Sequence, residues 1–140
     1  AVVGDSAYMF GGTNGQTMSS DTFKLDLRSG HAHQSFTNAH LVTGFSWQKL
    51  PPRGSLLPCK REGHSLTTVG NSIFLFGGVD EKDEGLNDIF SFDIRASHSV
   101  TLVMLTCHVT ASQTWKMLMA PNAPSPRNNH SAAAYGSKLF

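Results

Sequence analysis

No excess of charge, no long apolar run and no dense set of cysteines marks this 140-residue chain. Eleven Lys and Arg stand against ten Asp and Glu, a net charge of +1, so no strong field draws the protein to nucleic acid or to an anionic membrane. The longest apolar-looking stretch, VTLVMLTCHV at 100–109, is far shorter than the roughly 20 residues of a membrane helix, and a soluble protein is expected. Two cysteines, Cys59 and Cys107, cannot build a disulfide framework and lack CxxC spacing. They read as free thiols in a cytoplasmic or nuclear protein. The seven histidines include His31, His33 and His40, and His98 and His108 flank Cys107, but no HxxxH or CxxC pattern supports a metal site. A nucleophile, base and orienting group are not found together, so no catalytic residue and no cofactor are expected.

What the chain does contain is a repeat. Gly4, Gly70 and Gly136 are spaced 66 residues apart (70 − 4 and 136 − 70), and the pairs Gly11-Gly12 and Gly77-Gly78 keep that offset. PCKREGHSLTTVGNSIF (58–74) aligns with PSPRNNHSAAAYGSKLF (124–140), placing Arg61 with Arg127 and His64 with His130. SDTFKLDL (20–27) pairs with NDIFSFDI (87–94), and SWQKL (46–50) with TWKML (114–118). So many residue types held in register imply one supersecondary unit written more than once. The chain opens on AVVGDSAYMF without an initiator methionine and stops at GSKLF in mid-pattern. A fragment is expected, with apolar faces that make it poorly soluble or self-associating.

Each unit carries four short apolar segments; in the middle copy they are HSLTTV, SIFLFGG, DIFSFDI and TWKML. Aromatic and β-branched runs of this length, bounded by Gly, Asn, Asp and Pro, predict strands, and no stretch has a helical period. The run IFLF (73–76) is apolar on both alternating faces and so requires cover on both sides. Four-stranded sheets stacked face to face supply that cover, and the glycine pair lets neighbouring backbone come close. The expected fold is all-β, with radially repeated antiparallel sheets in the manner of a β-propeller.

The motif resembles the Kelch repeat, in which a hydrophobic run ends in Gly-Gly, an aromatic precedes Asp, and Trp opens the last strand. Gly77, Gly78, Phe92, Asp93 and Trp115 carry it in the middle copy. Gly11, Gly12, Asp26 and Trp47 carry it in the first, with Leu25 where an aromatic is usual. The WD40 alternative lacks its Trp-Asp dipeptide. The resemblance implies a Kelch-type propeller fragment of about two four-stranded blades: a first blade at 1–57, a second at 58–123 and the start of a third at 124–140. A Kelch unit is about 50 residues long, and the excess here falls between the third and fourth strands, at 31–44 and 95–110. Two accounts fit those insertions: real loops that lengthen the outer strands, or translated non-coding sequence from an imperfect gene model.

The resemblance also implies function through loops, because blades are scaffold and their connections line the faces of the ring. The loop 79–87 concentrates Asp80, Glu81, Asp83 and Glu84 around Lys82, which suits a basic partner segment. Arg61 and Arg127 precede first strands, where some Kelch proteins grip acidic peptides, and Asn128 and Asn129 can hydrogen-bond a peptide backbone. Recurrence nevertheless favours structural roles, at the strand lead-in for Arg61 and Arg127 and for His64 and His130, and between blades for Trp47 and Trp115. The leading expectation is a non-catalytic module for a protein or peptide partner, possible roles including substrate recognition in a ubiquitin ligase. The alternatives are a Kelch-type oxidase, epimerase or specifier protein, or an actin-binding scaffold.

Overall fold

In a computed structural model, which describes residues 1–28, 45–94, 96–98, 109–111 and 113–140, the chain forms two four-stranded antiparallel sheets with no helix among the described residues. The first sheet holds β1 (Val2–Val3), β2 (Ser6–Phe10), β3 (Thr22–Asp26) and β4 (Trp47–Leu50), ordered as in the chain. The second holds β5 (Ser65–Val69), β6 (Ser72–Phe76) and β7 (Ile89–Asp93). Its outermost strand is β10 (Thr114–Leu118), beyond the short strands β8 (Ala96–His98) and β9 (Val109–Ala111). A two-stranded start of a third unit follows in β11 (Ala134–Tyr135) and β12 (Lys138–Leu139).

Alternation of side chains along each strand decides how the sheets stack. In β6, Ile73 and Leu75 are buried against the first sheet, while Ser72, Phe74 and Phe76 point the other way and are half-buried. The first sheet offers Tyr8, Phe10 and Leu50; the second answers with Ile73, Leu75, Phe90, Phe92 and Trp115, and these eight form the core. Trp115 is its centre, with ring centroids 5.1 Å from Phe10 and 4.9 Å from Phe92. Its indole N–H donates across the interface to Thr22 Oγ1 at 3.1 Å, so the buried polar tip is satisfied.

The packing has a direction. Trp115 lies on the face of its sheet that meets the preceding unit, and the equivalent face of the first sheet carries Met9 and Trp47, which are 45% and 51% exposed. Both tryptophans were expected as anchors between blades; Trp115 is one, whereas Trp47 faces away from the second sheet.

Register also sorts the connections between the two ends of each sheet. Phe10 opposes Thr22, which opposes Leu50, and Ser65 opposes Phe76, which opposes Ile89, which opposes Leu118. The loops 11–21 and 77–88 and the lead-in segments 51–64 and 119–133 therefore share one end. The tight turns at 4–5, 70–71 and 136–137 lie at the opposite end. Of the two insertions, 31–44 falls outside the described residues. In the second, Ala96–His98 pairs with Val109–Ala111, and Ala96 opposite Ala111 keeps the register of Asp93 opposite Thr114.

Candidate functional site

The glycine pairs act between units. Gly12 N–H donates to Arg61 carbonyl O at 2.9 Å, and Gly78 N–H donates to Arg127 carbonyl O at 2.9 Å. Each unit thus clasps the lead-in segment of the next. A Cβ built on Gly11 would stand 2.8 Å from Arg61 O, and one on Gly77 2.6 Å from Arg127 O, which is why no side chain is present at either. The recurring histidines complete the clasp. His64 stands edge-on to Phe10 at 5.6 Å between ring centroids, and His130 to Phe76 at 5.4 Å. Ser65 Oγ and His130 Nε2 share a hydrogen bond of 2.9 Å, while Nδ1 of both histidines is buried without a partner among the described residues. Burial, reinforced by the Arg61 guanidinium, pushes His64 down to about 4, so the ring is neutral at physiological pH.

Arg61 is fully buried, which changes its reading as a partner-binding residue. Its guanidinium grips the Asp88 carboxylate two-pronged, with Nη2 to Oδ2 at 2.7 Å, and Nη1 also donates to Gly77 O at 3.0 Å. Nε donates to Cys59 O and Nη2 to Cys59 Sγ, each at 3.3 Å, and the group lies 5.7 Å from the centre of the Phe90 ring. A guanidinium whose donors are spent inside the fold offers nothing to a peptide. Asp88 was missed from the sequence, although an Asp recurs at 21 and 88 in the aligned third segments.

The remaining candidates come together at the loop-bearing end. Arg127, Asn128 and Asn129 are exposed; the Arg127 side chain donates to the Ser125 carbonyl at 3.1 Å and to the Ser125 hydroxyl at 3.3 Å. Asn129 adopts φ 51 and donates its backbone N–H to Gly63 O at 2.7 Å, fixing this lead-in segment beside its predecessor. In the acidic loop the four carboxylates have different tasks. Asp80 caps the turn, accepting from Glu84 N at 3.0 Å and Lys82 N at 2.9 Å, and those amides hold its carboxyl below the usual range. Glu81 pairs with Lys60 at 2.9 Å on the surface. Asp83, at φ 61, and Glu84 are exposed. Bridges of Glu62 with Val79 and of Val79 with Gly85 hold the loop onto its own lead-in segment.

Motif residues Asp26 and Asp93 close the third strands; the Asp26 carboxylate accepts from Arg28 N at 2.9 Å. Among the described residues no group of three or more His, Cys, Asp or Glu is arranged to hold a metal, and no helix is long and apolar enough to cross a membrane.

Four-stranded meanders that each clasp the next unit through a glycine pair, with an indole packed between the first two, define a blade-repeat protein of the propeller class. The chain belongs to the Kelch-repeat family: residues 1–140 match the model described as the KLHDC2/KLHL20/DRC7 Kelch-repeats domain. It is similar to Host cell factor of Drosophila melanogaster, 33% identical over 108 residues, covering 69% of this chain and 6% of that protein. Host cell factor 2 of Homo sapiens is 32% identical over 103 residues, covering 66% and 12%. Tip elongation aberrant protein 3 of Schizosaccharomyces pombe is 29% identical over 150 aligned positions, covering 97% and 12%. The chain therefore spans only a small part of the length of these relatives.

Proposed function

We propose that this chain is part of a non-catalytic protein-interaction module whose partner docks on the loop-bearing end of the blades. The observation that carries the reading is topological. Loops 13–20 and 79–87 and the lead-in segment with Arg127, Asn128 and Asn129 project from the same end, and their polar groups are largely exposed. The exposed carboxylates Glu81, Asp83 and Glu84 suit a basic stretch of partner, and Arg127 with its two asparagines suits an acidic side chain and a peptide backbone. Blade boundaries at 57/58 and 123/124 follow from the same repeat. The finer role is substrate recognition within a larger assembly such as a ubiquitin ligase or another scaffold. The exposed free thiol of Cys59 fits a cytoplasmic or nuclear setting.

Site-specific photo-crosslinking in the full-length protein tests the docking end. A photoreactive residue at Glu81 or Asn128 captures a discrete partner, whereas the same residue at Asn71 or Ser137, in turns at the opposite end, does not. Capture confined to Asn71 and Ser137 refutes the reading.

A further inference from the structure

The Arg61 pairing has a template in the first unit. Gly77 N–H donates to Asp88 O at 3.3 Å, and Gly11 N–H donates to Asp21 O at 3.0 Å, so the two glycines and the two aspartates hold the same backbone frame. Phe90, which lies beside the Arg61 guanidinium, has Phe23 as its counterpart one position into β3. Every fixed group that receives Arg61 outside its own lead-in segment thus recurs: a glycine carbonyl, a carboxylate and an aromatic face. In the first unit the Asp21 carboxylate is met by Lys49 Nζ at 2.8 Å, with both side chains well exposed at 38% and 59%. An exposed Lys–Asp pair contributes little and is readily replaced. The planar fork of a guanidinium, in contrast, can satisfy the carboxylate and the carbonyl together.

We propose that the Gly11 carbonyl, the Asp21 carboxylate and the Phe23 ring form a guanidinium-binding socket. Its occupant is an arginine on an extended segment running directly into β1. Arg61 lies 66 residues before Arg127, and the same step back from Arg61 places the occupant six residues ahead of Ala1. Chemistry and register agree on this occupant. A guanidinium matches the acceptors, and an arginine at that spacing approaches as Arg61 approaches Gly77 and Asp88, from the lead-in of its own unit.

The test extends the chain with a copy of residues 58–66, PCKREGHSL, joined directly to Ala1, which sets its arginine at the required position. Three proteins are compared by urea denaturation: the extension as written, the extension with methionine for its arginine, and the arginine extension in an Asp21→Asn chain. The expected result is a midpoint about 1 M higher for the arginine extension than for the methionine one, with the gain lost in Asp21→Asn. Equal midpoints for arginine and methionine, or a gain that survives Asp21→Asn, overturn the proposal. A readout independent of folding is the parent transcript: an arginine codon six residues upstream of Ala1 supports the socket, and a codon for any other residue overturns it.

Discussion

Replacing Gly11 by alanine, with Gly4 as control, isolates the clasp between units. Both glycines occupy the left-handed region, at φ +60 and φ +54, so both substitutions carry backbone strain. That strain is about 1–2 kcal/mol, partly offset by the lower entropy of the unfolded alanine chain, leaving about 1 kcal/mol for Gly4→Ala, whose Cβ meets nothing within 4 Å. At Gly11 the new Cβ would stand 2.8 Å from Arg61 O and 3.2 Å from Ser19 O, where 3.4 Å is ordinary contact. Both neighbours are backbone, so relief means moving the second unit's lead-in segment by several tenths of an ångström. That movement weakens the Gly12 N–H to Arg61 O bond of 2.9 Å and the Arg61 N–H to Ser19 O bond of 3.3 Å. With a part-buried hydrogen bond contributing about 1 kcal/mol, and an unsatisfied buried group costing about 1–3, Gly11→Ala is expected to cost about 3–4 kcal/mol. Urea denaturation followed by tryptophan fluorescence gives both values, with the slope checked for constancy. Costs that agree within about 0.5 kcal/mol would mean that the glycine is kept for its dihedral angles alone, and the clasp would be wrong.

Three further outcomes follow from the same interface. Trp115→Ala is expected to cost about 3–5 kcal/mol, since its indole is 4% exposed, while Trp47→Ala, at 51% exposed, costs under about 1 kcal/mol; equal costs in denaturant would contradict the directional packing. Arg61→Met leaves the Asp88 carboxylate without its partner in a partly buried site and is expected to cost about 3–5 kcal/mol, with much of the loss recovered in Arg61→Met/Asp88→Asn; a double-mutant cycle with no coupling would refute the pairing. His64 is held neutral by burial, with its folded value near 4 against an ordinary 6.5. Unfolding therefore takes up a proton below pH 6.5, and stability falls as pH drops from about 6.5 towards 4. His64→Gln should flatten that part of the stability profile, and an unchanged slope would remove the histidine from the account.

The lysine, arginine and acidic groups at the loop-bearing end illustrate why a recurring residue is ambiguous on sequence alone. Arg61 and Arg127 sit in the same motif position, yet one is enclosed by Asp88, Gly77 and Cys59 and the other is exposed. Asp80 reads as one charge in a cluster of four, but its oxygen is committed to the amides of its own turn. In both cases the deciding contacts are with groups 27 residues away, as for Arg61 and Asp88, or with backbone whose direction a pattern of side chains does not encode.

The sequence by itself determined the repeat, the strand segments, the all-β class and the family. Glycine pairs, aromatic runs and tryptophans at a fixed step report local backbone and burial demands, and these are the same in every unit. The tertiary structure alone decided what each copy of a motif residue does. A sheet has two different faces and the stack runs one way, so Trp115 is buried on the preceding sheet while Trp47 is exposed. Strand pairing likewise places the acidic loop and the Arg127 segment at one end and the tight turns at 70–71 and 136–137 at the other, because antiparallel register fixes the end at which each connection must emerge.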